Sequence, residues 1–272
     1  MGDTHYYKGG AASLINPVTR EEVKSAFFDI KEDRAPGPDG YSAGFYKAAC
    51  SIIGDKLITA VMDFFENGRL LKQLNATLLT LVPKVQTPTT VGDFRTIFYC
   101  NVLYKAITKI LVQRLRPLLD SLISPTQNAF IPGRSISENI LLAQELFAGY
   151  NQQRMPPRCA MKVDLRKAYH TVEWDFLLAT LKLFGFLSLF ITWVEECVTM
   201  RHFSLCLNEG IHGFFAWARG QRQGDPMSPY LFVLVMELSF GDDLLLFCRA
   251  DKESVGLLKR GCKCLMTIRA VC

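Results

Sequence analysis

Two stretches of the chain carry carboxylates where an apolar strand would otherwise have none. Asp164 closes the run Cys159-Ala160-Met161-Lys162-Val163-Asp164-Leu165, and Asp242-Asp243 sits between Leu238-Ser239-Phe240 and Leu244-Leu245-Leu246-Phe247. Carboxylates at the ends of apolar strands are costly unless they meet a cation or a basic side chain. Brought together, Asp164 and Asp242 would hold two Mg²⁺ ions about 4 Å apart, the arrangement that stabilises both the attacking and the leaving oxygen of a phosphoryl transfer. The same residues also read as a hairpin turn and a helix cap. These two features alone leave both readings open.

Several elements must position those acids. Thr19 and Glu22 form a capping box, and Val23, Ala26, Phe27 and Ile30 follow at helical spacing. That helix ends before Pro36-Gly37-Pro38, in a turn rich in proline and glycine from Arg34 to Gly40. A second helix is predicted from about Asp55 to Asn67, stopped by Gly68, and a short strand from Leu78 to Val82. Asn101 to Ile123 is amphipathic, with a predicted kink at Pro117. Lys105, Lys109 and Arg116 lie along its polar side, either as a solvated face or as a nucleic-acid contact. Ser135 and Glu138 open another helix, and Cys159 to Leu165 reads as a largely buried strand. Trp174 to Phe184 is helical, His202 to Leu207 and Gly213 to Ala218 form a hairpin, and Ser228-Pro229 starts a helix over Tyr230 to Leu238.

Composition narrows the class. Of 272 residues 49% are hydrophobic and 21% charged, as in a globular chain rather than a disordered tail or a coiled coil. The longest strongly apolar run, Tyr230 to Met236, ends at Glu237 and falls far short of the roughly 20 residues of a membrane span. No secretory pattern opens the sequence, and nine scattered cysteines read as reduced thiols, so an intracellular protein, nuclear or cytoplasmic and not secreted, is expected. Cys262-x-Cys264 with Cys272 lacks the spacing of a zinc site. The net charge of +5 permits a polyanionic partner without requiring one.

The order of motifs resembles a known family. Ala35-Pro36-Gly37-Pro38-Asp39-Gly40, Leu81-Val82-Pro83-Lys84, Asp93-Phe94-Arg95 and Phe130-Ile131-Pro132-Gly133-Arg134 look like the fingers of non-LTR (LINE-type) retrotransposon reverse transcriptases. Lys162 to Tyr169, Arg219 to Pro229 and Phe240-Gly241-Asp242-Asp243 are similar to that family's three palm motifs, in unbroken order. The resemblance implies an α+β right-hand polymerase, with fingers over 15–157, a truncated ferredoxin-like palm over 158–250, a basic tail over 251–272 and no thumb. It implies RNA-directed DNA synthesis, in which Mg²⁺ assists transfer of a dNTP onto a primer 3′-hydroxyl along an RNA template. Asp164 and Asp242 would be the metal ligands, supported by Asp243. Tyr169 would be the sugar gate beneath the nucleotide. Gln223 and Gly224 would contact the nucleotide, Lys84 and Arg95 its triphosphate, and Lys105, Lys109 and Arg116 the template.

The chain departs from the family at several positions. His170 stands where the family usually has Asp, Thr96 where it has Pro, Gln221 where it has Leu, and Gly241 where it has Ala. The link between the second and third palm motifs is also short. If Tyr230 to Leu238 is helical, it spans about 13.5 Å. Only Ser239 and Phe240 then remain before Gly241, whereas a hairpin arm takes about five residues. Either the helix is shortened or the first arm is absent, through an internal deletion or a misjoined gene model. The expectation is that Asp242 stands apart from Asp164 and that the chain polymerises little or not at all. A non-catalytic nucleic-acid-binding remnant, using Lys105, Lys109, Arg114 and Arg116, and an unstable fragment without function are the alternatives.

Overall fold

The computed structural model describes residues 11–125, 127–148, 158–164, 168–199, 202–207, 210–239, 243–249, 251–256 and 268–271. Its helices are α1 (Arg20–Phe28), α2 (Ala43–Ala48), α3 (Cys50–Asn67), α4 (Lys72–Asn75), α5 (Val102–Leu122), α6 (Ile136–Ala148), α7 (Ala168–Thr171), α8 (Trp174–Leu183), α9 (Ser188–Thr199) and α10 (Ser228–Ser239). Its strands are β1 (Ala76–Pro83), β2 (Phe94–Cys100), β3 (Arg158–Asp164), β4 (His202–Leu207), β5 (Gly210–Ala216), β6 (Asp243–Arg249) and β7 (Ile268–Val271). This is an α+β fold. Among the described residues no helix is long and apolar enough to cross a membrane.

Local chemistry sets most helix ends. Thr19 caps α1 by accepting the Glu22 amide at 3.2 Å, and the helix turns Val23, Ala26 and Phe27 inward. Gly68, at φ 66°, closes α3 in the left-handed conformation that costs glycine least. That helix starts five residues before the Asp55 expected from periodicity, because α2 runs almost directly into it through Ala49. Helix α5 continues through Pro117 and is the centre of the main core, with Tyr104, Ala106, Ile107, Ile110, Leu111 and Leu119 fully enclosed. Its C-terminal end is clasped by Arg134, whose guanidinium donates to the carbonyls of Asp120, Ile123, Ser124 and Gln127 and pairs with the Asp120 carboxylate at 2.9 Å. A cation at the last turn satisfies carbonyls that have no partner within the helix.

The strands form two sheets. The first has the order β2-β1-β4-β5, with β1 antiparallel to β2 and parallel to β4. Leu79, Phe98 and Phe203 bury a small core of their own on one face, with Leu81, Leu205 and Trp217 packed against it. The second has the order β6-β3-β7, antiparallel throughout. Residues 268–271, inside the stretch read from sequence as a basic tail, thus supply a strand.

The basic side of α5 is engaged within the protein. Lys105 donates to the Ala35 carbonyl at 3.3 Å, and burial, with Arg34 nearby, lowers its pKa. Lys109 pairs with Asp29 at 3.3 Å. Arg114 forks onto Glu22 and donates to the carbonyls of Leu14 and Asn16. Of Lys105, Lys109, Arg114 and Arg116, Arg116 is the exposed one.

Candidate active site

The acidic centre rests on β3 and β6. Asp164 ends the first strand, Asp243 starts the second, and the antiparallel register pairs the two residues directly. Residues so opposed have Cα atoms about 4.5–5.5 Å apart. Helix α10 runs to Ser239 and β6 starts at Asp243, so the residues between them, 240–242, which are too few for a five-residue arm, lie outside the described residues. Asp242 lies outside the described residues. The separation expected from the short link concerns Asp242 and falls on that residue; its neighbour Asp243 is paired with Asp164.

The Arg219 to Pro229 loop is fastened to the segment after β3. The Gly220 amide donates to the Val172 carbonyl at 2.7 Å, the Gln221 amide to the Tyr169 carbonyl at 2.6 Å, and the Trp174 indole to the Gly220 carbonyl at 2.9 Å. The Tyr169 ring, half-buried on α7, stacks on Phe232 of α10 with centroids 4.6 Å apart. Tyr169 is thereby held at its backbone by the loop and at its ring by α10.

Within the loop, Arg222 and Asp225 point inward while Gln223 and Gly224 are exposed. Arg222 donates to the Asn75 carbonyl at 3.1 Å and to the Asn75 side-chain oxygen, and its guanidinium lies over the Tyr104 ring at 4.3 Å. Burial opposes its charge, whereas the Tyr104 phenol, the Cys100 thiol and Asp225 favour it, and the balance moves its pKa upward. Asp225 accepts from the Tyr104 hydroxyl and from the Met227 amide at 2.9 Å. Gly224 has φ 93°, which a side chain would strain, and it faces the Phe98 carbonyl of β2. Sequence reasoning missed Tyr104, Arg222 and Asp225. The one signal for them was an Arg and an Asp flanking Gln223-Gly224.

Lys84 and Arg95 are exposed on the β1–β2 pair, apart from any described contact with the acids. The Lys84 ammonium donates to the Gly92 carbonyl at 2.9 Å. Asp93 caps its own turn: amides of Thr90 and Thr89 donate to its carboxylate at 2.8 and 3.0 Å and lower its pKa.

Gln221 is 3% exposed, and neither end of its amide has a hydrogen-bond partner among the described residues. A buried unpaired amide is destabilising, and the resembled family has Leu here. Gln221→Leu is expected to raise the unfolding free energy by about 1–2 kcal/mol, read as a higher urea midpoint at unchanged slope. A lower midpoint would show that the amide does bonded work in the fold.

Residues 82–268, over half of the chain, match the family described as "Reverse transcriptase (RNA-dependent DNA polymerase)". The "Transposon TX1 uncharacterized 149 kDa protein" of Xenopus laevis is 25% identical over 82% of this chain and 17% of its own length. The "Retrovirus-related Pol polyprotein from type-2 retrotransposable element R2DM" of Drosophila melanogaster is 24% identical over 81% of this chain and 20% of its own length. The corresponding R2 polyprotein of Nasonia vitripennis is 25% identical over 85% of this chain. The chain spans about a fifth of the length of these relatives. With that match lying across the paired strands and the fastened loop, the chain belongs to the reverse transcriptase family, alongside proteins of non-LTR retrotransposons.

Proposed function

We propose that the chain is the fingers and palm part of an RNA-directed DNA polymerase, which adds dNTPs to a DNA primer on an RNA template. One observation carries the reading: the register that sets Asp164 opposite Asp243 at the mouth of two adjoining strands. Two acidic residues at opposed register positions offer hard oxygen donors, which suit a divalent cation better than like charges suit each other. Asp164 and Asp242, supported by Asp243, would hold two Mg²⁺ ions, which when bound supply charge neutralisation at the reacting phosphate.

The other residues hold and orient the substrates. Tyr169, fixed by Phe232 and the Gln221 amide, bars a sugar 2′-hydroxyl. Gln223 and Gly224 meet the nucleotide, the glycine letting backbone come close. Lys84 and Arg95 reach the triphosphate as a point charge and a fork. Arg116 meets the template. Lys105 and Lys109 contribute there only by leaving Ala35 and Asp29.

The order β6-β3-β7 fits a ferredoxin-like palm that has lost one edge strand, the first arm before Asp242. Losing an edge strand exposes one row of backbone groups but leaves the inner pairings in place. Slow, Mg²⁺-dependent extension is therefore expected from the full chain on a primed RNA template, abolished by a chelator. Intact primer–template binding with no extension at any Mg²⁺ concentration would reject the reading.

A further inference from the structure

We propose that Arg222 is a positioning residue for nucleotide binding, acting through Tyr104 to hold the Gln223-Gly224 turn against the four-stranded sheet. The inference rests on the polymerase reading of the site and adds to it a residue outside the nucleotide contacts.

Tyr104 is fully buried near the start of α5 and is gripped twice by the same loop. Its ring lies 4.3 Å from the Arg222 guanidinium carbon, and its hydroxyl donates to Asp225. The two gripping residues stand on either side of Gln223 and Gly224, so both ends of the exposed turn are fixed to one ring. Arg222 reaches further, to Asn75 at the foot of β1, to the Cys100 thiol at 3.7 Å at the end of β2, and to the Phe203 ring of β4 at 5.9 Å. A planar fork with a stacking face meets all these partners at once, which an ammonium cannot do. Packing alone would be met by an apolar side chain of the same volume at lower desolvation cost. An arginine here joins strands of the four-stranded sheet to the turn that meets the nucleotide, so the turn sits in one place relative to Arg95 on β2.

The test uses the full chain bound to an RNA template with a dideoxy-terminated DNA primer, so that the next complementary dNTP binds in Mg²⁺ without reacting. Arg222→Lys is expected to weaken dNTP affinity by about tenfold or more, the size of losing charge-assisted hydrogen bonds, while primer–template affinity stays within about twofold. Tyr104→Phe keeps the ring under Arg222 and removes the hydroxyl's bond to Asp225 together with its longer, 3.5 Å contact to the Cys197 carbonyl. It is expected to weaken dNTP affinity in the same selective way by about threefold or more, and it stands in if Arg222→Lys fails to fold. Unchanged dNTP affinity in the folded variants would overturn the inference and leave the polymerase reading standing. Equal losses for both ligands would mark Arg222 as structural and also overturn it. A wild-type chain that binds primer–template but no dNTP would overturn the polymerase reading itself, and this inference with it.

Discussion

Gly37→Ala is expected to lower the unfolding free energy by about 3–5 kcal/mol, combining overpacking with the loss of buried hydrogen bonds. A Cβ at residue 37 would lie 2.3 Å from the Asn101 side-chain oxygen, 2.4 Å from its backbone nitrogen and 2.6 Å from its Cα. Two of those atoms are backbone at the start of α5, so no rotamer change relieves the clash. Asn101 is also a hub. It is 2% exposed, its amide donates to the carbonyls of Gln73 at 2.9 Å and Leu74 at 3.2 Å, and its oxygen accepts the Asp39 amide at 3.2 Å. Displacing it loosens the turn before β1, the Arg34–Gly40 loop and the head of α5 together. Two controls separate contact from conformation. At Gly44 a Cβ meets nothing closer than 3.6 Å, so Gly44→Ala in α2 is expected to be neutral or slightly stabilising. At Gly40 the space is open but φ is +77°, so Gly40→Ala is expected to cost about 1 kcal/mol. Urea unfolding of the three variants reads the order directly. A Gly37→Ala midpoint no lower than that of Gly40→Ala would refute the close approach.

The elements legible in the sequence are those specified by nearby residues. The Thr19 cap, the Gly68 stop, the long apolar stripe of α5 and the Ser228-Pro229 start each act within a turn or two of themselves. Strand β2 escaped because Phe94–Cys100 was read for its Asp93-Phe94-Arg95 motif, although seven residues of it pair with β1. The parallel pairing of β1 with β4 joins residues more than a hundred positions apart, which no local pattern encodes. The same limit governs the charges. Periodicity placed Lys105 and Lys109 on one side of a helix, but only the fold shows Ala35 and Asp29 waiting there. At the site the motifs located Gln223 and Gly224, whereas the ring that fixes them, Tyr104, stands on α5, 119 residues before Gln223, a position indistinguishable by sequence from any core tyrosine.

Asp164→Asn is expected to reduce the initial rate of primer extension by roughly 10³-fold, about 4 kcal/mol of transition-state stabilisation, as a ligand that would hold the charge-neutralising Mg²⁺ ions is removed. Its effect on stability should carry the opposite sign. Asp164 and Asp243 are direct cross-strand partners, and like charges so placed destabilise a sheet. Without Mg²⁺, neutralising one of them is therefore expected to raise stability by about 0.2–1 kcal/mol, and Asp243→Asn should behave likewise. Added Mg²⁺ should raise the melting temperature of the wild-type chain and leave that of Asp164→Asn nearly unchanged, since a cation that binds only the folded state stabilises it. An acid kept for structure would lose stability when neutralised, whereas an acid kept for chemistry gains it and loses the reaction. Extension rates paired with melting temperatures, with and without Mg²⁺, distinguish the two: undiminished extension by Asp164→Asn removes the residue from the reaction, and a fall in metal-free stability makes it a structural carboxylate.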